Sequence, residues 1–129
     1  MPTFHSFTEI EAWQKARVLT SEICSVSKKG AFAKDFELRG QIRSASISVM
    51  SNIAEGFDRN GTAEFIQFLA IAKGSVAEVA SQLFVAKDQN YVTAEEFDKL
   101  IALTTETGRK IGALMNYLRR SRIKGLKFR

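Results

Sequence analysis

The chain has 129 residues, 45% hydrophobic and 26% charged, with a net charge of +5. That balance fits one globular domain over 1–129 with a core of its own, and excludes disordered, collagenous and disulfide-stapled chains. A single cysteine, Cys24, leaves no internal disulfide or thiolate metal cluster within one chain.

The start, MPTFHSFTEIEAW, lacks the basic segment and apolar block of a secretory signal. No apolar run is expected to approach the ~18 residues of a membrane span. A cytoplasmic protein with no membrane partner is the expectation.

The first predicted helix covers about 8–27. Thr8 is its expected N-cap, and Glu11 three residues on completes a capping box. Trp13, Ala16, Thr20 and Ile23 share one face, and KKGAFAKD follows as a connection. The second helix covers about 35–56. Leu38, Ile42, Ala45, Val49, Asn52 and Gly56 alternate four and three apart. Gly56 and Gly61 are read as the helix end and turn.

The third helix covers about 62–88, with Glu64 in its first turn. Phe65, Leu69, Ala72, Val76, Val79, Leu83 and Ala86 keep the spacing throughout. The fourth covers about 93–120. Thr93 and Glu96 form a capping box, and Phe97, Ile101, Thr104, Gly108, Ile111, Met115 and Leu118 continue the pattern. No segment shows sustained strand alternation. Four helices with short connections predict an all-α, antiparallel up-down-up-down four-helix bundle.

Two of these helices carry more apolar surface than one bundle needs, since about 100° of stripe suffices. The second adds Ile47 and Met50. The third adds Ile66 and Phe84, with a row of small residues at Ala70, Gly74, Ala77 and Ser81. A chain of this length has no second layer, so burial by further copies is the expectation, with Ile47, Met50, Ile66 and Phe84 as the interface. The alternative is a monomer that leaves single apolar residues exposed.

The polar residues among them read as packing chemistry or as a site. Asn52 and Glu55 sit where loop amides need acceptors, and Arg43 is expected to pair with Glu78 or Glu55. The serines are expected to bond back to helix carbonyls.

EAWQKA (11–16), FELRGQIRSASISVMSNIAEGFDRN (36–60) and EFIQFLAIAKGSVAEVASQL (64–83) resemble the 23S rRNA intervening-sequence protein family. NIAEG and IAKGSVAE are the strongest pieces; they contain Asn52, Glu55, Gly56, Gly74, Ser75 and Glu78, residues read with Arg43 as a structural network. Ser44 stands where the family usually has a second arginine. The resemblance implies a four-helix bundle in a homo-oligomeric ring, typically a homopentamer, and no activity general to the family. The accessory protein of diversity-generating retroelements looks similar, and there a basic barrel works with nucleic acid.

No catalytic residue, metal site or cofactor is expected. The only histidine, His5, precedes the first helix, so bundle di-iron chemistry and a Ser-His or Cys-His pair lack a partner. GFDRNG lacks the lysine and strand of a P-loop.

The charge is lopsided. From Arg109 on there are eight Lys or Arg and no Asp or Glu; subtracting that +8 from the chain's +5 leaves residues 1–108 at −3. The tail 119–129 offers Arg119, Arg120, Arg122, Lys124, Lys127 and Arg129 for phosphates, and Phe128 for stacking on a base. RNA or DNA binding is the leading expectation. A solvated helix end whose cations favour the dipole, or a protein or membrane-surface partner, remains the alternative. Two functions follow: a non-enzymatic oligomer associating with nucleic acid, or an oligomeric scaffold for another protein.

Overall fold

The computed structural model describes residues 4–127, with side chains described as far as Ser121. It is all-helical. A 3-10 turn, Phe7–Glu9, precedes α1 (Glu11–Val26), α2 (Gly30–Lys34), α3 (Phe36–Asp58), α4 (Thr62–Asp88) and α5 (Ala94–Lys127). The four long helices lie where they were predicted, except that α1 begins at Glu11 and α5 runs on to Lys127 through most of the predicted tail; α2 is an addition.

The start of α1 differs from the Thr8–Glu11 expectation. Ser6 caps the 3-10 turn instead, its Oγ accepting from the Thr8 amide at 3.2 Å. Glu9 accepts from the His5 amide at 3.1 Å. Ile10 is buried in extended conformation between turn and helix, and its burial resets the helix start. Glu11 is released to pair with Lys110 at 2.9 Å.

The connection after α1 is not all loop. Phe32 is fully buried and stacks on Tyr91, ring centroids 5.3 Å apart. That contact holds α2 in place, and Gly30 enters it at φ +53°, where a side chain is disfavoured. Asp35 caps α3 by accepting from the Leu38 amide at 3.0 Å.

Gly56 does not end α3. The helix continues to Asp58, and neither Gly56 nor Gly61 has positive φ. What Gly56 supplies is a close crossing: a Cβ there would sit 2.6 Å from Phe68 Cβ and 3.0 Å from Phe65 Cδ1.

Helix α4 closes with Asn90 at φ 60°. The Tyr91 amide donates to Ala86 O at 2.9 Å and the Asn90 amide to Lys87 O at 3.0 Å, the paired bonds of a Schellman ending. The α5 capping box is as predicted: the Thr93 amide donates to Glu96 Oε1 at 2.9 Å and the Glu96 amide to Thr93 Oγ1 at 3.1 Å.

Helix α1 packs on α3 and α5, and α4 packs on α3 and α5. Thr20 of α1 meets Ser46 of α3, and Ser27 meets Arg43. On the other side Ser48 of α3 meets Ser75 of α4, and Gly56 meets Phe65. The predicted α4 stripe, Phe65 through Ala86, is buried at every position.

The core falls into two clusters, one around Ile23, Phe32, Leu83 and Leu100, the other around Ile10, Ile53, Leu69 and Ile111. Buried hydroxyls separate them. Thr104 donates to Leu100 O at 2.6 Å and Thr107 to Leu103 O at 2.7 Å. Each satisfies its hydroxyl within its own helix, so the polar waist needs no cross-partner.

One end is tied by a further bond. Tyr91 Oη donates to Asp35 Oδ2 at 2.9 Å. That bond to a carboxylate, then burial, then the Asp35 charge, raise the Tyr91 phenol above its ordinary 10.0. A raised phenol stabilises below its unfolded value and loses that contribution as pH climbs through the folded one. The melting-temperature margin of the native chain over Tyr91→Phe should therefore be constant from neutral pH to 10.0 and shrink above it. A margin indifferent to pH would mean the bond is not formed in solution.

Candidate interaction surfaces

The long helices present two different outer walls. The α1/α5 wall is laced with ion pairs: Lys15–Glu106 at 3.1 Å, Lys99–Glu22 at 3.1 Å and Lys110–Glu11 at 2.9 Å. Exposed pairs of this kind contribute little stability, but they mark a hydrated surface.

The α3/α4 wall is joined by small hydroxyls. Ser48 and Ser75 lie 3.0 Å apart, and Asn52 Nδ2 donates to Ser48 O at 2.8 Å and to Ser48 Oγ at 3.0 Å. No ion pair crosses between α3 and α4 among the described residues. Between Thr62 and Ala86 the only charged residues are Glu64, Lys73 and Glu78.

The structure divides the predicted network. Asn52 and Ser75 meet through Ser48, and Gly56 sets the crossing. Arg43 does not reach Glu55 or Glu78. Its Nε donates to Ser27 Oγ at 2.7 Å, because residue 43 faces α1 rather than α4. Glu55 takes Arg59 at 3.1 Å one helical turn on, and Glu78 accepts weakly from Gln82 at 3.5 Å. Gln82 Oε1 is buried without a partner among the described residues. Gly74 is exposed, and a Cβ there would meet nothing within 4 Å.

Of the four predicted interface residues, Ile47 and Phe84 are exposed, at 48% and 53%. Met50 and Ile66 are partly buried against the chain's own core. Sequence reasoning missed Ile71 at 54%, Val85 at 44%, Val18 at 47% and Phe36 at 70%. Ile71 had a signal, since it lies outside the α4 stripe. The small-residue row Ala70, Gly74, Ala77 and Ser81 is exposed throughout.

Helix α4 also corrects a sequence expectation. By length and composition it is apolar enough to cross a membrane, yet only 39% of its most apolar window is buried in the chain. A helix supplying the core of a soluble fold passes the same test.

At the far end of α5, Arg119 and Arg120 are exposed, and Arg119 Nη1 donates to Asn116 Oδ1 at 3.3 Å. The α5 backbone stays helical through Lys127. The side chains of Arg122, Lys124 and Lys127 lie outside the described residues, as do Phe128 and Arg129. Among the described residues no three His, Cys, Asp or Glu side chains gather as metal ligands.

The 23S rRNA-intervening sequence protein model matches residues 8–113. The chain belongs to that family. Its matched span takes in α1 to α4 and most of α5, and stops before Arg119. The fold of this family member is similar to a crystal structure of a protein with unknown function from the S23 ribosomal protein family of Bacteroides thetaiotaomicron VPI-5482. The TM-score is 0.75 at 22% identity, covering 81% of this chain and 95% of that one. No curated protein matches the chain.

Proposed function

We propose that this chain is a non-enzymatic, homo-oligomeric bundle protein that associates with RNA or DNA through the basic end of α5. It forms one up-down-up-down four-helix domain whose copies close into a ring, a homopentamer on the family resemblance, and it works in the cytoplasm. Neighbouring helices touch in opposite senses, Thr20 with Ser46 and Ser27 with Arg43 among them, which supports the up-down order.

The observation that carries the assembly is the contrast between the walls. An ion-paired α1/α5 wall suits water, whereas Ile47, Ile71, Phe84 and Val85 beside a row of small residues suit another helix. Glu78 and the serines interrupt that face, which suits a protein copy better than lipid.

Nucleic acid is supported by the acid-free segment from Arg109 on, repeated once per copy around a ring. Six tail cations contacting a single strand give a log–log salt slope of about −4, hence roughly a 10²-fold loss of affinity over a fourfold rise in salt. Binding of the full chain and of a chain lacking 119–129 to a mixed RNA pool, across a salt series, tests this. Salt-indifferent binding, or equal binding by both chains, would rule it out.

Exposed Val18, on α1 and so outside the α3/α4 wall, favours a second reading as a protein scaffold. Partners retained after nuclease treatment of a lysate would support that reading instead.

A further inference from the structure

Most described cations are already engaged. Lys15, Lys29, Arg59, Lys99 and Lys110 are in ion pairs; Arg17, Arg39 and Lys87 lie over aromatic rings; Arg43 bonds Ser27. Lys73 and Arg109 are in no ion pair among the described residues, and they line one open trough between α4 and α5. Thr105 and Asn116 line it too, and no carboxylate does. Glu106, on the other flank of Arg109, is occupied by Lys15.

The floor of the trough is bare backbone at Gly108 and Gly112. Two glycines inside a helix weaken it, so helix propensity favours alanine at both; at Gly108 a Cβ would lie 3.4 Å from Val76 Cγ1. At Gly112 packing gives no reason for glycine: a Cβ would meet only Lys73 Nζ, at an ordinary 3.6 Å. The missing side chain instead leaves room for a ligand beside the ammonium group. Asn116, on the trough wall, accepts from Arg119, which links the trough to the basic end. Arg109 to Arg120 spans about 16 Å of helix, the scale of several successive phosphates.

We propose that this trough is a second contact site for the sugar–phosphate backbone of a nucleic acid strand, gripped by Lys73 and Arg109 with Thr105 and Asn116 as neutral donors. The proposal rests on the nucleic-acid reading of the α5 end and extends it along the side of the bundle. Such contacts position a strand and carry no base preference.

The test uses the full chain, a mixed-sequence single-stranded RNA and a salt series. Lys73→Gln combined with Arg109→Gln should weaken binding about tenfold at low salt and flatten the log–log slope by about 1.4, two contacts at ~0.7 each. Gly112→Ala should raise the melting temperature by roughly 4 °C while weakening binding, a combination that a purely structural role does not produce.

An unchanged slope in the double variant, with a reduced slope on removing 119–129, overturns the trough and keeps the tail. The reverse pattern keeps the trough and overturns the tail. No RNA binding by the full chain overturns both. A change in particle mass in the double variant assigns the trough to contact between copies and overturns the proposal.

Discussion

Gly56→Ala lowers the stability of the fold by about 2 kcal/mol, the net of overpacking against the gain in helix propensity. The added Cβ falls 2.6 Å from Phe68 Cβ, an atom fixed near the α4 backbone that no rotamer change can move aside. Phe65, buried and in edge contact with Phe57 at 6.2 Å, blocks retreat on the other side. The helices must separate, and separation loosens the core around Ile53 and Leu69. Gly74→Ala is the matched control. Its Cβ meets nothing within 4 Å, so a single copy gains about 0.8 kcal/mol of helix propensity. Urea unfolding midpoints measure both. Equal stability of Gly56→Ala and the native chain would show that α3 and α4 are not held at this crossing.

On the proposed assembly, Ile47→Glu combined with Ile71→Glu should convert the particle to single copies of 14.4 kDa. Both side chains are about half exposed, so a lone copy places the new carboxylates in water and folds as before. Within a contact between copies each charge would be desolvated without a partner, at a cost of several kcal/mol. Mass from light scattering should fall while the circular dichroism and the monomeric melting behaviour are kept. A native chain already monomeric at high concentration, or a double variant that still assembles, would remove the α3/α4 wall as the interface.

The parts legible in the sequence are those governed by neighbours three and four residues apart. The α4 stripe and the Thr93–Glu96 box are local and appear as read. The Thr8–Glu11 box failed because a long-range effect, burial of Ile10, moved the helix start. Helix α2 was missed because its cause is Phe32 stacking on Tyr91, far away in sequence.

The network was half legible for the same reason. Spacing places Asn52 and Ser48 one helical turn apart, but it cannot say which neighbour Arg43 faces. Gly56 was given the wrong role because a glycine at a close crossing and one at a helix end look alike in sequence. Periodicity measures direction around one helix, not the reach of the next, so it does not show that the core partly covers Met50 and Ile66.

No ion pair joins α3 to α4 among the described residues, and this has a practical consequence. Contacts held by greasy and hydroxyl groups are little weakened by added electrolyte, whereas polyanion contacts lose affinity steeply. On the proposed assembly and nucleic-acid binding, a concentrated sodium chloride wash should strip polynucleotide from the particle and leave its subunits together.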